Sequence, residues 1–444
     1  MELSRLLGTS FACACGRTHT VPVKTLLYEA GAIGSLPEIV RASGEGRVAI
    51  IADVRTWDVS GVAVQATLKE AGFEVHRIIV PDRAKGGPIC DDVTVQWLLG
   101  QLRGVPPAVV VGVGSGVIND LSKWSSFEMR VPYIIVATAA SMNGYSAANV
   151  APTIAGVKML IEARPPVAVV AEPSVIERAP REMTTAGFGD TIAKFQSNSD
   201  WTTNRFLLGE HYCELCASIA SSLEPLYLDR PEEIRDGKSQ AVGGLFEALF
   251  WTGLAMTLMG TSVPASGGEH LLSHTLDMMA ELRGGVHDLH GRQVGIGTLL
   301  SAALYERVLA MDSPALKPLP ARVDGAFWTV PSVVAAVTTQ YEAKKRSHKL
   351  VRERIADGSV WDEFRTRLAG TVRSPVVIRD WLRRAGGAVS MSDIGCSRER
   401  IRDAIVHMHE IRKRFSIVDL AWLVGILPDG VDDLIDQWLT GDGT

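Results

Sequence analysis

Cysteine is scarce in this sequence, which has only six among 444 residues. A chain of this length can bury a large hydrophobic core, so the scattered cysteines exclude a disulfide-stapled scaffold and predict a reducing, cytoplasmic setting. An excess of positive charge is also lacking, because the formal net charge is −5 and the pI is about 6.1. The composition therefore argues against binding to nucleic acid or to an anionic membrane surface.

Targeting and membrane-spanning patterns are lacking too. The N-terminal sequence MELSRLLGTSFACAC does not combine a charged n-region with an apolar stretch, as a secretory signal would. The most apolar run, residues 241–260, contains Glu247 and several glycines, so we interpret it as a buried helix. Membrane insertion is not expected.

The first part of the chain alternates strand and helix patterns, and the total length predicts two domains. The predicted strands are residues 47–53, 74–81, 108–116 and 131–140, and the predicted helices between them are 58–72, 91–104 and 116–129. Strands without polar alternation are buried on both faces, and strands separated by helices pair in parallel. This part is therefore predicted to be a Rossmann-like, doubly wound parallel sheet.

The pattern changes in the middle of the chain. Residues 151–173 indicate two short strands linked through a Pro-Pro pair, which we interpret as a hairpin or an edge addition. Beyond Arg181 only helical patterns remain. We therefore expect an α/β domain over residues 1–178 and an all-α helical domain over residues 179–444.

A glycine-rich turn follows the third predicted strand, where it meets a helix. The turn consists of Gly112, Val113, Gly114, Ser115 and Gly116. Backbone N–H groups and the helix N-terminus at such a turn can hold a pyrophosphate, and glycine lets the phosphate approach closely. The same composition is a common structural solution for a strand-to-helix turn, so the turn alone leaves both interpretations open.

Other predicted strands end in polar residues, at the edge where open α/β sheets bind ligands. Asp53 ends an earlier strand and could accept hydrogen bonds from an adenosine ribose, although a structural aspartate explains it almost as well. A later strand closes with two hydroxyl side chains, in the segment Thr138, Ala139, Ala140 and Ser141.

The helical half carries possible metal ligands. His270 and His274 are four residues apart on one helical face, and His290 follows twenty residues after the first. Imidazoles at this spacing can bind a metal when a carboxylate completes the ligand set. Asp190 and Lys194 are also four apart, although such a pair is usually a surface ion pair. An isolated histidine pair is more often structural, so spacing alone does not establish a metal site.

Two cysteine pairs have metal-binding spacing, but structural explanations are preferred. Cys213 and Cys216 lack a second pair and a βαβ context, which favours two core cysteines on a helix face. Cys13 and Cys15 lie near His19 and could in principle bind a metal. Three ligands so close in sequence favour a strained loop, so we interpret this segment as an N-terminal turn.

Five motifs occur together in an order typical of one enzyme family. They are GVGSGVINDLSKW, VATAASMNGYSA, AGFGDTIAKF, SGGEHLLSH and HGRQVGIG. The sequence resembles the sn-glycerol-1-phosphate dehydrogenases, in the superfamily of iron-containing alcohol dehydrogenases, glycerol dehydrogenase and dehydroquinate synthase. The resemblance runs from the N-terminal Cys-x-Cys-Gly-x-x-His to SRERIRDAIVHMHEIRKRFSIVDL, which is similar to the bacterial, arabinose-operon-associated branch. It implies a dehydroquinate synthase-like fold with a dinucleotide-binding α/β domain and a helical metal- and substrate-binding domain.

The resemblance implies a metal centre and catalytic residues. Asp190, His270 and His290 would hold one divalent metal, with zinc as the first candidate and nickel or iron as alternatives. Asp190 and His274 would contact substrate, and His274, Asp190 and Lys194 would act in catalysis.

The resemblance also implies a cofactor site for NAD or NADP. The 112–116 turn and the 138–141 segment would contact the cofactor, together with Asp53 and Ala147, and Asn143 would contact substrate. Two positions depart from the family pattern, which usually has aspartate in place of Asn143 and often serine in place of Ala147. An amide keeps hydrogen bonding but is not a charged acceptor.

The implied reaction is reversible hydride transfer between NAD(P) and a small phosphorylated polyol, with dihydroxyacetone phosphate to sn-glycerol 1-phosphate as the reference. Lys158, Lys194 and Arg292 are cations that could meet the substrate phosphate. A metal- and NAD-dependent cyclase of the dehydroquinate synthase type is one alternative. A non-catalytic nucleotide-binding homologue is another, suggested by Asn143 and Ala147. The family also implies a homodimer or a larger homo-oligomer.

Overall fold

The computed structural model describes residues 3–83, 86–285 and 287–441, which form two compact units. Unit 1 comprises Met1–Ile154, Lys158–Gly187 and Ser218–Thr261, and unit 2 comprises Ala155–Val157, Phe188–Ala217 and Ser262–Thr444, each within the described residues. The chain therefore passes between the units more than once, whereas the sequence predicts a single boundary after residue 178.

The strands of the described chain lie between residues 10 and 171 and are two to six residues long. In chain order they are β1 (Ser10–Ala12), β2 (Thr18–Thr20), β3 (Thr25–Tyr28), β4 (Val48–Ala52), β5 (Val75–Ile79), β6 (Val109–Gly114), β7 (Tyr133–Ala137), β8 (Asn149–Val150), β9 (Thr153–Ile154), β10 (Val157–Lys158), β11 (Ile161–Glu162) and β12 (Ala168–Ala171). The β1–β2 pair is an antiparallel hairpin, and β8 pairs antiparallel with β11.

The main sheet of unit 1 has six parallel strands in the order β3-β12-β7-β6-β4-β5. Every side chain of β4, β6, β7 and β12 is buried, as expected for strands covered on both faces. The predicted doubly wound parallel sheet is thus confirmed. The winding direction reverses between β4 and β6, and ligands of open α/β sheets bind at such a switch point.

Two strands of this sheet were not predicted in their actual places. β3 precedes the region where the sequence pattern begins, and it forms one edge of the sheet. The hairpin-or-edge interpretation is wrong for β12, which lies between β3 and β7. The Pro165-Pro166 pair separates β12 from β11, and a run of four apolar residues does not reveal whether a strand is central or at an edge.

Helices make up the rest of the described chain. They are α1 (Leu36–Ser43), α2 (Val54–Thr56), α3 (Val62–Glu70), α4 (Asp92–Gly104), α5 (Gly116–Met129), α6 (Pro173–Ile176), α7 (Arg181–Ile192), α8 (Lys194–Leu208), α9 (Glu214–Ser222), α10 (Glu224–Leu228), α11 (Pro231–Arg235), α12 (Ser239–Met259), α13 (Gly268–Arg283), α14 (His290–Leu309), α15 (Gly325–Trp328), α16 (Pro331–Ile355), α17 (Gly358–Ala369), α18 (Pro375–Ala385), α19 (Arg398–His407), α20 (Ile417–Leu423) and α21 (Val431–Trp438). A π-helical segment covers Trp57–Gly61, and 3₁₀ segments cover Leu3–Leu6, Ala32–Ser35, Asn143–Ser146 and Ser392–Ile394. Among the described residues, no strand follows β12, which confirms the helical prediction for the second half.

Helix α12 is the one helix in the described part of the chain that is long and apolar enough to cross a membrane. Its apolar window is 78% buried within the protein, which confirms the prediction of a buried helix. A Cβ at Gly253 of α12 would lie 2.0 Å from the Asn143 carbonyl oxygen, so the helix contacts the 143–146 segment closely. This packing places residues 218–261 in unit 1.

Candidate active site

The glycine turn joins β6 to α5 in unit 1. A Cβ at Gly112 would lie 2.6 Å from Ser122 Oγ, and a Cβ at Gly114 would lie 2.6 Å from Ile118 Cβ. These two glycines are therefore required where α5 packs against β6. A Cβ at Gly116 would have no neighbour closer than 3.8 Å, which leaves space beside the first residue of α5. The helix N-terminus there can receive a phosphate group.

Polar groups from neighbouring strand ends surround this turn. Ser115 Oγ accepts from the Gly116 N–H at 2.7 Å and lies 2.9 Å from Ser141 Oγ, so the ends of β6 and β7 are linked. Asp53 follows β4, the neighbour of β6, and its Oδ1 accepts from Thr56 N at 3.0 Å as the cap of α2. The sequence prediction therefore placed Asp53 at the correct edge, while the structure also gives this carboxylate a capping role.

The segment after β7 is held in place by Lys123 of α5, a residue that the sequence analysis missed. Buried Lys123 donates from Nζ to the Gly144 carbonyl at 2.6 Å and to the Asn149 carbonyl at 3.1 Å. Burial lowers the pKa of Lys123 to about 8, against the opposing effect of Asp120. Thr138 to Ser141, Asn143 and Ala147 are buried within this supported segment.

Within unit 2, the end of α7 and helices α13 and α14 meet at close backbone contacts beside the predicted metal ligands. A Cβ at Gly189 of α7 would lie 2.1 Å from the Gly291 carbonyl oxygen of α14. A Cβ at Gly297 of α14 would lie 2.0 Å from the Glu269 carbonyl oxygen of α13. Glycine at these crossings therefore lets α7, α13 and α14 bring their next side chains together.

Asp190 from α7, His270 from α13 and His290 from α14 form the cluster that the sequence predicts. Their ligand atoms all lie within 4.8 Å of one another, and His270 Nε2 is 3.6 Å from Asp190 Oδ1. Burial would raise the pKa of Asp190, but Lys194 and the two histidines outweigh that effect and hold the pKa well below its usual range. Lys194 Nζ lies 3.1 Å from Asp190 Oδ1 and fixes the carboxylate as an anion.

Neighbouring side chains fix the tautomers of both histidines. His270 Nδ1 donates to Glu269 Oε1 at 2.8 Å, which leaves Nε2 as the unprotonated nitrogen. Ser273 donates its hydroxyl proton to Gln293 Oε1 at 2.8 Å, so its oxygen accepts from His290 Nδ1 at 3.0 Å. Metal-binding histidines are typically oriented in this way by a second partner. A carboxylate and two imidazoles prepared like this fit a divalent metal ion.

His274 lies on the same face of α13, with its ring centre 6.0 Å from that of His270 and 5.6 Å from that of His290. Arg412 Nη2 is 2.7 Å from His274 Nε2. Because arginine only donates, Nε2 accepts and Nδ1 of the neutral imidazole carries the proton. The sequence analysis missed Arg412.

The other predicted cations have partners inside the protein. Lys194 Nζ donates to the Asp190 carbonyl at 2.5 Å and to the Ala265 carbonyl at 3.1 Å, in addition to its ion pair with the Asp190 carboxylate. Arg292 is paired with Asp288 at 2.9 Å. These contacts favour positioning roles for Lys194 and Arg292. The third predicted cation, Lys158, is half-buried on β10.

The structure confirms the burial predicted for two of the cysteines but not their shared helix face. Cys213 and Cys216 are both buried, yet only Cys216 lies on a helix, because Cys213 precedes the first residue of α9. Cys13 and Cys15 lie in the turn of the β1–β2 hairpin, and His19 is on β2.

Comparison with known sequences identifies the family. The model of the iron-containing alcohol dehydrogenase family matches residues 27–180. An enzyme named glycerol-1-phosphate dehydrogenase (NAD(P)+) from Geobacillus stearothermophilus is 30% identical over 419 residues, 94% of this chain and 96% of that protein. One of the same name from Thermofilum pendens is 31% identical over 346 residues, 77% of this chain and 96% of that protein.

Solved structures share the fold. A probable glycerol dehydrogenase from Sinorhizobium meliloti superposes with a TM-score of 0.62 at 16% identity, covering 94% of this chain and 96% of that chain. A sulfoacetaldehyde reductase from Bifidobacterium kashiwanohense in complex with NAD+ gives 0.61 at 16% identity, covering 96% and 99%. The sequence identity over most of both chains shows that this chain belongs to the glycerol-1-phosphate dehydrogenase family, and the family model places it with the iron-containing alcohol dehydrogenases.

Proposed function

We propose that this protein is a metal-dependent dehydrogenase that interconverts dihydroxyacetone phosphate and sn-glycerol 1-phosphate, or a related polyol phosphate, with NAD or NADP. The observation that carries the proposal is the Asp190, His270 and His290 cluster, with its ligand atoms within 4.8 Å and its histidine tautomers fixed. The names of the relatives support the substrate class and the cofactor.

Different residues of unit 2 would bind the metal, keep its carboxylate ligand ionised and contact the substrate. Asp190, His270 and His290 would hold the metal, with zinc first and nickel or iron as alternatives. The bound ion would supply a Lewis acid that stabilises negative charge developing on the substrate oxygen, while the nicotinamide gives or accepts the hydride. Lys194 keeps Asp190 ionised. His274, with its proton on Nδ1, would donate a hydrogen bond to the substrate or relay its proton.

Arg412 is our candidate for the substrate phosphate. Among the described residues, no carboxylate lies within ion-pair distance of Arg412 or of Arg414. Burial, followed by the charge of Arg414, lowers the pKa of Arg412 to about 10, which still leaves it protonated. A partly buried guanidinium beside His274, with no carboxylate at ion-pair distance, is stabilised when an anionic group arrives. This arrangement favours a phosphorylated substrate over a neutral polyol.

The proposed cofactor site is the edge of the sheet at the β4/β6 switch point. The turn Gly112 to Gly116 would receive the pyrophosphate in the space beside Gly116, and the 138–141 segment and Ala147 would line the site. Asn143 would contact substrate. Asp53 would favour the ribose of NAD over the 2′-phosphate of NADP. The domain assignment and a homodimer or larger assembly are part of the same proposal.

A substrate screen tests the reaction. The enzyme is assayed with dihydroxyacetone phosphate, dihydroxyacetone, glycerol and pentitol phosphates. Each substrate is tested with NAD and with NADP, in the reduced or the oxidised form, in the presence of zinc or nickel. We expect stoichiometric NAD(P)H consumption with dihydroxyacetone phosphate. A response to unphosphorylated polyols alone would contradict the phosphate assignment, and turnover without net NADH consumption would instead support a cyclase.

Replacing one ligand tests the metal centre. His270→Ala removes one of the three proposed ligands, so we expect loss of the ion from this cluster and a fall in kcat of at least about 100-fold. Metal analysis and steady-state kinetics on the same sample provide the measurement. His76→Ala, on strand β5, is the matched control and should keep both properties. Turnover that survives with the metal gone would refute the mechanism.

A further inference from the structure

A second group of potential metal ligands lies on the β1–β2 hairpin of unit 1. Cys13 and Cys15 are in the hairpin loop and His19 is on β2, and their ligand atoms lie within 4.8 Å of one another. The loop is closed by hydrogen bonds from Cys13 N to the Arg17 carbonyl at 2.9 Å and from Gly16 N to the Cys13 carbonyl at 3.0 Å. Gly16 adopts a φ of +83° in this loop, a backbone conformation that suits glycine.

The His19 ring is held with one nitrogen facing the cysteines. Nδ1 lies 2.8 Å from the Leu258 carbonyl oxygen, and a carbonyl only accepts, so Nδ1 carries the proton. Nε2 is then the unprotonated nitrogen, and it lies 3.4 Å from Cys15 Sγ. Histidine ligands of metals commonly donate their other N–H to a carbonyl in this way. The side chain is almost completely buried, so its orientation is fixed.

The distance between Cys15 Sγ and His19 Nε2 matches that between two ligands of a tetrahedral zinc ion. Zinc bonds of about 2.3 Å to sulfur and about 2.0 Å to nitrogen place a sulfur and a nitrogen ligand about 3.5 Å apart. The distance of 3.4 Å between Cys15 Sγ and His19 Nε2 fits this value. A thiol-to-imidazole hydrogen bond would give a similar distance, so the presence of the ion distinguishes the two explanations.

We propose that Cys13, Cys15 and His19 bind a structural zinc ion, in addition to the ion at the Asp190, His270 and His290 cluster. Two thiolates and one imidazole are a typical zinc ligand set, and a further protein or solvent donor would complete four-coordination. The ion would tie the loop to β2 and, through the His19–Leu258 hydrogen bond, tie the hairpin to α12. The site does not depend on the proposed reaction, because its ligands are a different set of residues.

Metal analysis of the full-length protein tests this proposal. Protein produced with zinc and purified under reducing, chelator-free conditions should contain two zinc ions per chain. His270→Ala protein should keep one, and Cys13→Ser/Cys15→Ser protein should also keep one. Cys90→Ser removes another buried cysteine of unit 1 and should keep both ions.

X-ray absorption on His270→Ala protein identifies the ligands of the remaining ion without relying on the folding of the double variant. At least two sulfur ligands and one nitrogen ligand are expected. A shell of nitrogen and oxygen alone, or His270→Ala protein without zinc, would overturn the proposal. The same holds if Cys13→Ser/Cys15→Ser protein folds and retains as much zinc as the wild type.

Discussion

Arg412 illustrates what spacing along the chain does not show. The histidines at 270 and 274 are predicted together because one helical turn separates them, and His290 and Asp190 joined them through the order of motifs. Arg412 reaches His274 from 138 residues away, in a segment whose sequence carries many charged residues. A distant cation of this kind becomes recognisable only when the fold shows that it has no carboxylate partner in the described residues.

Arg412→Gln should therefore lower the activity on a phosphorylated substrate more than the activity on an unphosphorylated one. A hydrogen bond to a charged group contributes about 1.5–3 kcal/mol, so we expect kcat/KM for dihydroxyacetone phosphate to fall roughly 10- to 100-fold. The residual activity on unphosphorylated dihydroxyacetone should change much less. Steady-state kinetics on wild type and variant gives kcat/KM for both substrates, and the ratio of the two values tests whether Arg412 binds the phosphate.

Arg352→Gln is the matched control, because Arg352 is an exposed arginine of α16. It should leave both rates unchanged. If Arg412→Gln lowered the rates with both substrates equally, Arg412 would act through His274 and not on the phosphate.

Asp419 is a buried anion with a structural role in unit 2. It lies 2.8 Å from Lys344 Nζ and 3.0 Å from His348 Nε2, and all of its surface is buried. Burial would raise the pKa of Asp419, but Lys344 and His348 outweigh it and hold the pKa below its usual range. It also caps α20, since Oδ2 accepts from Ser416 N at 3.0 Å.

Asp419→Asn should lower the free energy of unfolding by about 3–5 kcal/mol at pH 7, because it leaves a buried lysine without its anion. A carboxylate with a depressed folded pKa stabilises the protein above its unfolded pKa of about 3.9, and this stabilisation is lost as the pH falls through the folded value. Urea titrations should therefore show the difference from wild type shrinking below about pH 4. Glu353→Gln, in an exposed pair with Lys349, should change stability by less than about 1 kcal/mol at any pH.

At the scale of elements, the central strands were predictable and the strand order was only partly so. The apolar runs at 48–52, 109–114 and 133–137 are short, rich in β-branched residues and separated by helical patterns, so they predict parallel strands buried on both faces. The short β3 has only partly buried side chains, and β12 has no pattern that distinguishes a centre from an edge. Both places are decided by packing between residues far apart in sequence.

The helix crossings at the ligand cluster are also decided by packing between residues far apart in sequence. Glycines are visible near each ligand in the sequence, yet only the fold shows which of them touch a neighbouring backbone. Gly297 and Gly189 set the separation of the helices that carry the ligands, whereas Gly100 on α4 has open space beside it. Glycine at 297 and 189 is therefore a packing requirement of the Asp190, His270 and His290 cluster.

Gly297→Ala should weaken metal binding without changing any ligand. Its Cβ would lie 2.0 Å from the Glu269 carbonyl oxygen, so α13 and α14 must separate. We expect a loss of stability of about 1–3 kcal/mol and at least tenfold weaker zinc binding, since metal sites tolerate ligand shifts of about 0.2 Å. Chelator competition and urea unfolding measure the two effects.

Gly100→Ala supplies the control for that substitution. The side chain would meet no atom within 4 Å on a helix, so stability should stay equal or rise by about 0.5–1 kcal/mol with unchanged zinc affinity. Equal zinc binding in Gly297→Ala protein would show that the crossing does not set the ligand geometry.

At the scale of the whole molecule, the proposed cofactor site and the proposed metal site lie in different units. The glycine turn belongs to unit 1, and the Asp190, His270 and His290 cluster belongs to unit 2. A ligand stabilises the structure that binds it by about 2.7 kcal/mol when its concentration is 100 times its Kd. Multidomain proteins do not unfold in a single two-state step, so this stabilisation can be followed separately in each unit.

Hydrogen exchange measured by mass spectrometry should therefore show two local effects. Saturating NAD(P)+ should slow exchange in peptides from β6 and α5, and saturating zinc should slow it in peptides from α13 and α14, by up to about 100-fold for amides that exchange through opening of that unit. His270→Ala should abolish the zinc effect in α13 and α14 while leaving the cofactor effect in β6 and α5. If zinc still protected α13 and α14 in that variant, the ion would be bound there by a different set of ligands, and the assignment of Asp190, His270 and His290 would be wrong.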